Sequence, residues 1–160
     1  MNDSTPALDR DEMAWAVAAV VDPELGGVTI GDLGLVHDVR VDLGGAVIVE
    51  LLPTFLGCPA LALMAVDVER AVRGLGVGQC TVVWRVEPSW DSSRITARGV
   101  EQLASLGIAV ATTALSSPAC PACGAPTLRP ISPVGATACR AVAWCDGCRS
   151  AIDVMGAARG

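Results

Sequence analysis

The sequence predicts a small two-layer α/β (α+β) domain, its elements ordered α-β-β-α-β-α, with a zinc ribbon appended at the C-terminal end. Three observations carry this prediction. Between about residues 10 and 110 the apolar positions follow first a helical and then a strand period, and the two keep alternating. Glycine and proline punctuate each change of period. Beyond them come two Cys-x-x-Cys pairs, Cys120-Pro-Ala-Cys123 and Cys145-Asp-Gly-Cys148. Each pair sits on a tight knuckle that points both sulfurs at one ion. Two knuckles make a tetrahedral thiolate cage with no open position, a site that holds structure and performs no hydrolysis. Gly124 and Gly147 suit the knuckle turns. Two disulfides, an iron site or a redox pair are the competing readings of the same cysteines.

The first helix opens at Asp9, with Glu12 in capping-box position, and places Met13, Ala16, Val17 and Val20 on one face until Pro23 ends it. Asp22 to Gly27 is a turn and Ile30 to Val36 a glycine-punctuated loop. Leu35 to Val41 and Ala46 to Leu52 read as strands joined by a Gly44-Gly45 hairpin. Pro53 stops the second. Cys58-Pro59 opens the next helix, since proline is favoured at its first position. Leu61, Met64, Ala65, Val68 and Val72 form its apolar stripe, and Gly74 to Gly78 ends it. Gln79 to Glu87 is β-rich. Thr96 caps a last short helix with Val100, Leu103 and Ala104 inward. This organisation assigns 8–111 to the α/β domain, 112–118 to a linker and 119–156 to the ribbon, with ribbon strands near Ala141 to Trp144 and Ile152 to Val154. The four tryptophans, Trp15, Trp84, Trp90 and Trp144, are expected to be packing residues, with Trp90 the most exposed.

Composition bounds the function. Of 160 residues, 52% are hydrophobic and 18% charged, which excludes disorder. The net charge is -6 and all eleven basic residues are arginine, which argues against a nucleic-acid partner. No apolar run reaches membrane-spanning length, and the polar start Met1 to Arg10 is not a secretory signal, so no membrane partner is expected and the cytoplasm is the predicted compartment. Seven cysteines without such a signal favour reduced thiols and metal binding.

Cys58 is the second chemical feature. At a helix start, the dipole and free amides favour a thiolate, which would serve as nucleophile, redox sensor or soft-metal ligand; a small buried residue is the plain alternative. A Cys-His pair requires the single histidine, His37, to fold against it, and a structural role for His37 is the better reading. Asp22 and Glu24 flank Pro23 as paired carboxylates or as loop acceptors. Asp32, between Gly31 and Gly34, is expected to bond amides of its own turn. Cys139, six residues before Cys145, is read as a substitute zinc ligand or a spare thiol near that site, and is left outside the cage. Cys80 falls on the third strand and reads as core.

Several of these segments together resemble a known family. Asp22-Pro23-Glu24 followed by Asp32-Leu33-Gly34-Leu35-Val36, and the motif Thr54-x-x-Gly57-Cys58-Pro59, are similar to the metal–sulfur cluster biosynthetic domain that includes SufT-like proteins. With the tail cysteines and Gly135-x-Thr137-Ala138-Cys139, the pattern resembles the PaaD-like accessory proteins of phenylacetyl-CoA epoxidase systems. The resemblance implies a maturation factor with no catalytic role, which assembles or delivers iron–sulfur clusters or iron to oxygenase or reductase clients. In that reading Cys58 is the functional thiol, with Asp22, Glu24, Thr54 and Gly57 around it. Cys120, Cys123, Cys145 and Cys148 hold structural zinc, and iron or a cluster is bound transiently. One such cysteine cannot fill a four-ligand cluster, so a homodimer or partner-dependent binding is expected. The alternatives are a zinc-ribbon adaptor that docks on an oxygenase without carrying iron, and a Cys58-dependent thiol enzyme.

Overall fold

The computed structural model describes residues 9–112 and 117–156. Most of the expected tail, and 113–116 of the expected linker, lie outside them.

Helix α1 (Arg10–Ala18) is capped by the Asp9 carboxylate, which accepts from the Asp11 N–H. Met13 and Val17 are buried. Trp15 sits two positions from each, on the opposite side of the helix, and is 78% exposed rather than packed. Strands β1 (Val36–Val41) and β2 (Val47–Leu51) form the antiparallel hairpin. The Asp42 carboxylate closes its turn by accepting from Gly44 and Ala46 N–H. Helix α2 (Ala60–Arg73) then crosses over to β3 (Cys80–Trp84), which lies parallel to β2. The sheet order is β1-β2-β3, and α2 buries Ala60, Met64, Val68 and Val72. Cys80 is buried in this core as expected.

After β3 the chain wraps the 30–36 loop. The Trp90 indole donates to Leu33 O (2.8 Å), so the tryptophan expected to be exposed is anchored instead. A 3-10 turn, Ser92–Arg94, was not anticipated. Arg94 donates to Gly34 O and Val36 O. Helix α3 (Ala97–Ser105) starts at Thr96, whose hydroxyl accepts from Gly99 N–H. It buries Leu103 but leaves Val100 at its margin, 36% exposed.

Asp32 ties the loop to α3. Rather than bonding amides of its own turn, its carboxylate accepts from the Thr29 and Thr96 hydroxyls and from Arg98, whose Nη2 stands 2.6 Å away. The Arg98 guanidinium and these hydroxyls hold its pKa below the usual carboxylate value. The depressed pKa makes its contribution present above pH 3.8 and lost as pH falls through the lower folded value. Asp32→Ala should cost about 2 kcal/mol, because the buried acceptor is lost while solvent screens the Arg98 side. Chemical denaturation checks this, and the gap between wild type and Asp32→Asn should narrow as pH falls below 3.8.

The second sheet has the order β4-β7-β6-β5. β5 (Arg129–Ser132), β6 (Arg140–Cys145) and β7 (Ser150–Met155) form the antiparallel ribbon. β4 (Ile108–Val110), which falls inside the segment 8–111, runs parallel to β7 as an edge of this sheet. Strand alternation lets these two strands serve both cores. Ile108 and Met155 enter the α/β core, while Ala109, Ile152 and Val154 enter the ribbon core. The ribbon is thereby packed on the α/β layer instead of trailing from it.

Candidate functional site

Two sites of opposite character emerge. The first is the cysteine quartet. Cys120 and Cys123 sit on a turn braced by Cys120 N–H to Ala125 O and Gly124 N–H to Cys120 O, both 2.8 Å. Cys145 ends β6 and Cys148 follows in the turn to β7. All four sulfurs lie within 4.8 Å of one another. The Cys120–Cys148 and Cys123–Cys145 separations are 3.8 and 3.6 Å. A tetrahedron with zinc–sulfur bonds of about 2.3 Å has edges of about 3.8 Å, so the donor set fits a zinc ion. The separations also exceed the ~2.05 Å of a disulfide. The Cys148 N–H donates to the Cys145 sulfur and holds that thiol down to about 7, whereas burial and the neighbouring sulfurs push Cys148 up to about 11; four thiols this close shed their protons together only on a cation.

The second site lies at the carboxyl end of β2, where α2 begins. Open α/β units commonly bind ligands outside the carboxyl ends of their parallel strands. Cys58 is half-buried there, one residue before the Pro59 cap. Gly57 allows the Phe55 ring to fold beneath the turn, since a Cβ at Gly57 would stand 2.6 Å from that ring. The opposite wall comes from the 22–28 turn. There Asp22 N–H donates to Val28 O, and the Asp22 carboxylate accepts from Glu24 N–H (2.8 Å). Asp22 is buried and Glu24 exposed. Leu33, Leu35, Met64 and Met155 supply the apolar floor, and Thr54 lines the same recess.

The third wall is the ribbon loop before β6. Cys139 lines the recess together with Cys58, Asp22 and Glu24. It also lines the adjoining cleft of about 200 Å³ with Glu24, Phe55, Cys58, Pro59 and Thr137. Cys139, already left outside the cage, is not part of the quartet, and it faces this cleft instead of lying beside the zinc site. The expectation failed because six residues of sequence become an extended strand: β6 carries the chain about 20 Å from Cys139 to Cys145. The loop is held firmly. The Thr137 hydroxyl stands 3.0 Å from the Cys139 sulfur, Arg140 Nε donates to that hydroxyl (2.8 Å), and Arg140 pairs with Asp153 (2.9 Å). Thr137 and Arg140 had no assigned role in the sequence; the Gly135-x-Thr137-Ala138-Cys139 pattern was the one signal of this wall.

The electrostatics correct a second expectation. Burial pushes the Cys58 thiol up, the Ala60 N–H opposes this, and Glu24, Cys139 and Asp22 push it up further. The helix start does not lower this thiol's pKa. Burial likewise raises the Asp22 carboxyl. His37 is exposed on β1 and is absent from both linings, so the Cys-His pairing does not form. The cleft holds soft thiols and the Asp22 and Glu24 carboxylates, with no histidine among its lining residues. A cation is what such a set would favour, because its positive charge opposes both the burial and the acidic neighbours that push the thiol up.

The comparisons agree with both halves. The profile of the iron-sulfur cluster assembly protein family matches residues 11–83, and that of the PaaD zinc beta ribbon domain matches residues 109–156. The chain is 32% identical to an Escherichia coli protein named as a subunit of a "Putative 1,2-phenylacetyl-CoA epoxidase", over 87% of this chain and 88% of that protein. It is 33% identical to the Bacillus subtilis Fe-S protein maturation auxiliary factor YitW, over 54% of this chain and 85% of that protein. A domain of unknown function from Bacillus anthracis superposes with TM-score 0.54 at 29% identity, covering 59% of this chain and 90% of that one. A conserved hypothetical protein from Thermotoga maritima gives 0.51 at 28%, covering 60% and 94%. No helix among the described residues is long and apolar enough to cross a membrane.

Proposed function

The chain belongs to the PaaD family, with an iron–sulfur cluster assembly domain joined to a zinc ribbon, and from that premise we propose that it is an accessory maturation factor which binds iron or an iron–sulfur cluster transiently and delivers it to a multicomponent oxygenase or reductase of the phenylacetyl-CoA epoxidase kind. The observation that carries this reading is the contrast between its two thiol sites. Among the described residues only the ribbon quartet brings three or more donor side chains together around one point. Such a shell is closed and suits a zinc that stays. The Cys58 cleft offers fewer converging donors and is open, so cargo there keeps positions for a partner to occupy. An open shell favours transfer.

In this reading Cys58 is the cargo ligand. Asp22 and Glu24 make the cleft attractive to cations, Thr54 and Gly57 shape the turn that presents the thiol, and the protein itself catalyses no reaction. The raised thiol predicts that cargo binding releases a proton and strengthens as pH rises. The cytoplasm, where thiols stay reduced, is the compartment this chemistry requires.

The experiment is metal and acid-labile sulfide analysis after oxygen-free purification, for wild type and Cys58→Ser in parallel. Stoichiometric zinc in both, with iron and sulfide in the wild type alone, is the expected result. A client co-produced with Cys58→Ser should also remain unmatured. Full client activity with that variant would discard the carrier reading in favour of an adaptor that docks without cargo.

A further inference from the structure

Cys58 belongs to the α/β layer and Cys139 to the ribbon, 81 positions apart by their numbers, yet both face one cleft. The ribbon commits a good deal of structure to placing that thiol. Thr137, Arg140 and Asp153 form a chain of bonds from the sulfur to β7, and Arg140 exposes only 13% of its side chain. Gly135 N–H donates to Arg140 O (2.7 Å), closing the loop on itself. A spare thiol at a ribbon tip would need none of this.

We propose that Cys139 is a second thiolate ligand for the iron cargo, so that Cys58 and Cys139 clamp the metal across the seam between the two halves. The proposal rests on the carrier reading of the cleft and deepens it. Ferrous iron with two thiolates still lacks donors, and no third donor side chain converges with Cys58 and Cys139 among the described residues, so water or a client would take the remaining positions. As each sulfur–iron bond forms, the thiol proton passes to solvent. No electron is transferred, so no oxidant or reductant is needed. A clamp of this kind makes loading dependent on ribbon placement, which gives the zinc site a reason to be in the same chain as the labile site.

The test uses the full, zinc-loaded chain without oxygen, as wild type, Cys58→Ser, Cys139→Ser and the double variant. Each is titrated with ferrous iron, and separately with cobalt(II), whose thiolate charge-transfer absorption scales with the number of sulfurs bound. Zinc content is measured before and after. The expected result is that each single variant gives about half the cobalt absorption and the double variant none. Ferrous affinity should fall by at least the roughly 10–100-fold that outer-shell partners of metal sites carry. If Cys139→Ser binds like wild type while Cys58→Ser does not, the clamp is wrong and the single-thiol carrier stands. If neither variant changes binding, both readings fall. Should Cys139→Ser lose its zinc or its fold, alkylation of the wild type decides. Ferrous iron shielding Cys58 and Cys139 together supports the clamp, and shielding of Cys58 alone overturns it.

Discussion

Cys123→Ser is expected to strip zinc from the protein and melt the ribbon while the α/β core survives. The ribbon core explains the size of the effect. Its buried members are Ala109, Ala111, Cys120, Leu128, Ala143, Cys145, Ile152 and Val154. Two of these are metal-binding cysteines and three are alanines, so only Leu128, Ile152 and Val154 bury large apolar side chains, at roughly 1.5–3 kcal/mol each. That cannot order β5, β6 and the two knuckles, although Ile108 and Met155 also tie β4 and β7 to the α/β core. Structural zinc supplies roughly 10–16 kcal/mol of apparent folding energy in small zinc peptides, and removing one of four thiolates opens the cage. Zinc analysis with a thermal melt measures both parts; an unchanged melting curve and full zinc would show that the ribbon stands without its metal. The variant should also lose cargo binding at the cleft, since the Cys139 loop goes with the ribbon. Cys58→Ser should show the reverse pattern: cargo lost, zinc and melting kept. That asymmetry separates a support from a binding residue.

What the sequence reveals and hides follows from how local each signal is. The hairpin, α2 and the zinc knuckles are written in short-range patterns: alternating valines around Gly44-Gly45, a Met64–Val68–Val72 stripe, paired cysteines at fixed spacing. All three appear in the structure as read. β4 is three residues long, and β5 contains Pro130. Proline is tolerated because β5 is an edge strand, but in a sequence it argues against any strand. The cleft was half legible. The motif around Cys58 and the carboxylates of the 22–24 turn are sequence-local, whereas the approach of Cys139 depends on how the ribbon docks, which no periodicity records. The sign of the Cys58 shift was hidden for the same reason: a helix start lowers a thiol's pKa only when burial and neighbouring acids do not outweigh it, and those neighbours come from other elements.

The docking itself makes the second large prediction. Gly156 follows β7 with φ +82, and a Cβ there would collide with the Ser92 side chain and stand 2.9 Å from Ala111 O. The Ser92 hydroxyl donates to that same carbonyl, and Ala111 N–H donates to Met155 O (2.9 Å). Three segments thus meet where the α/β layer ends and the ribbon returns. Gly156→Ala should cost about 1–3 kcal/mol from the left-handed backbone alone, with the steric clash in addition. A flexible tip could relieve such a clash cheaply, but here one of the obstacles is backbone. Ser92→Gly removes part of the clash and also a hydrogen bond, so the double variant should be less destabilised than the sum of the single changes. Calorimetry of the four proteins measures this. The functional consequence separates the seam from ordinary stability. Gly156→Ala touches neither thiol nor the zinc quartet, yet shifting the ribbon moves Cys139 away from Cys58, so ferrous binding should weaken at temperatures where the protein is still folded and zinc-loaded. Unaltered ferrous affinity in a destabilised variant would mean that the seam holds the fold without setting the cleft.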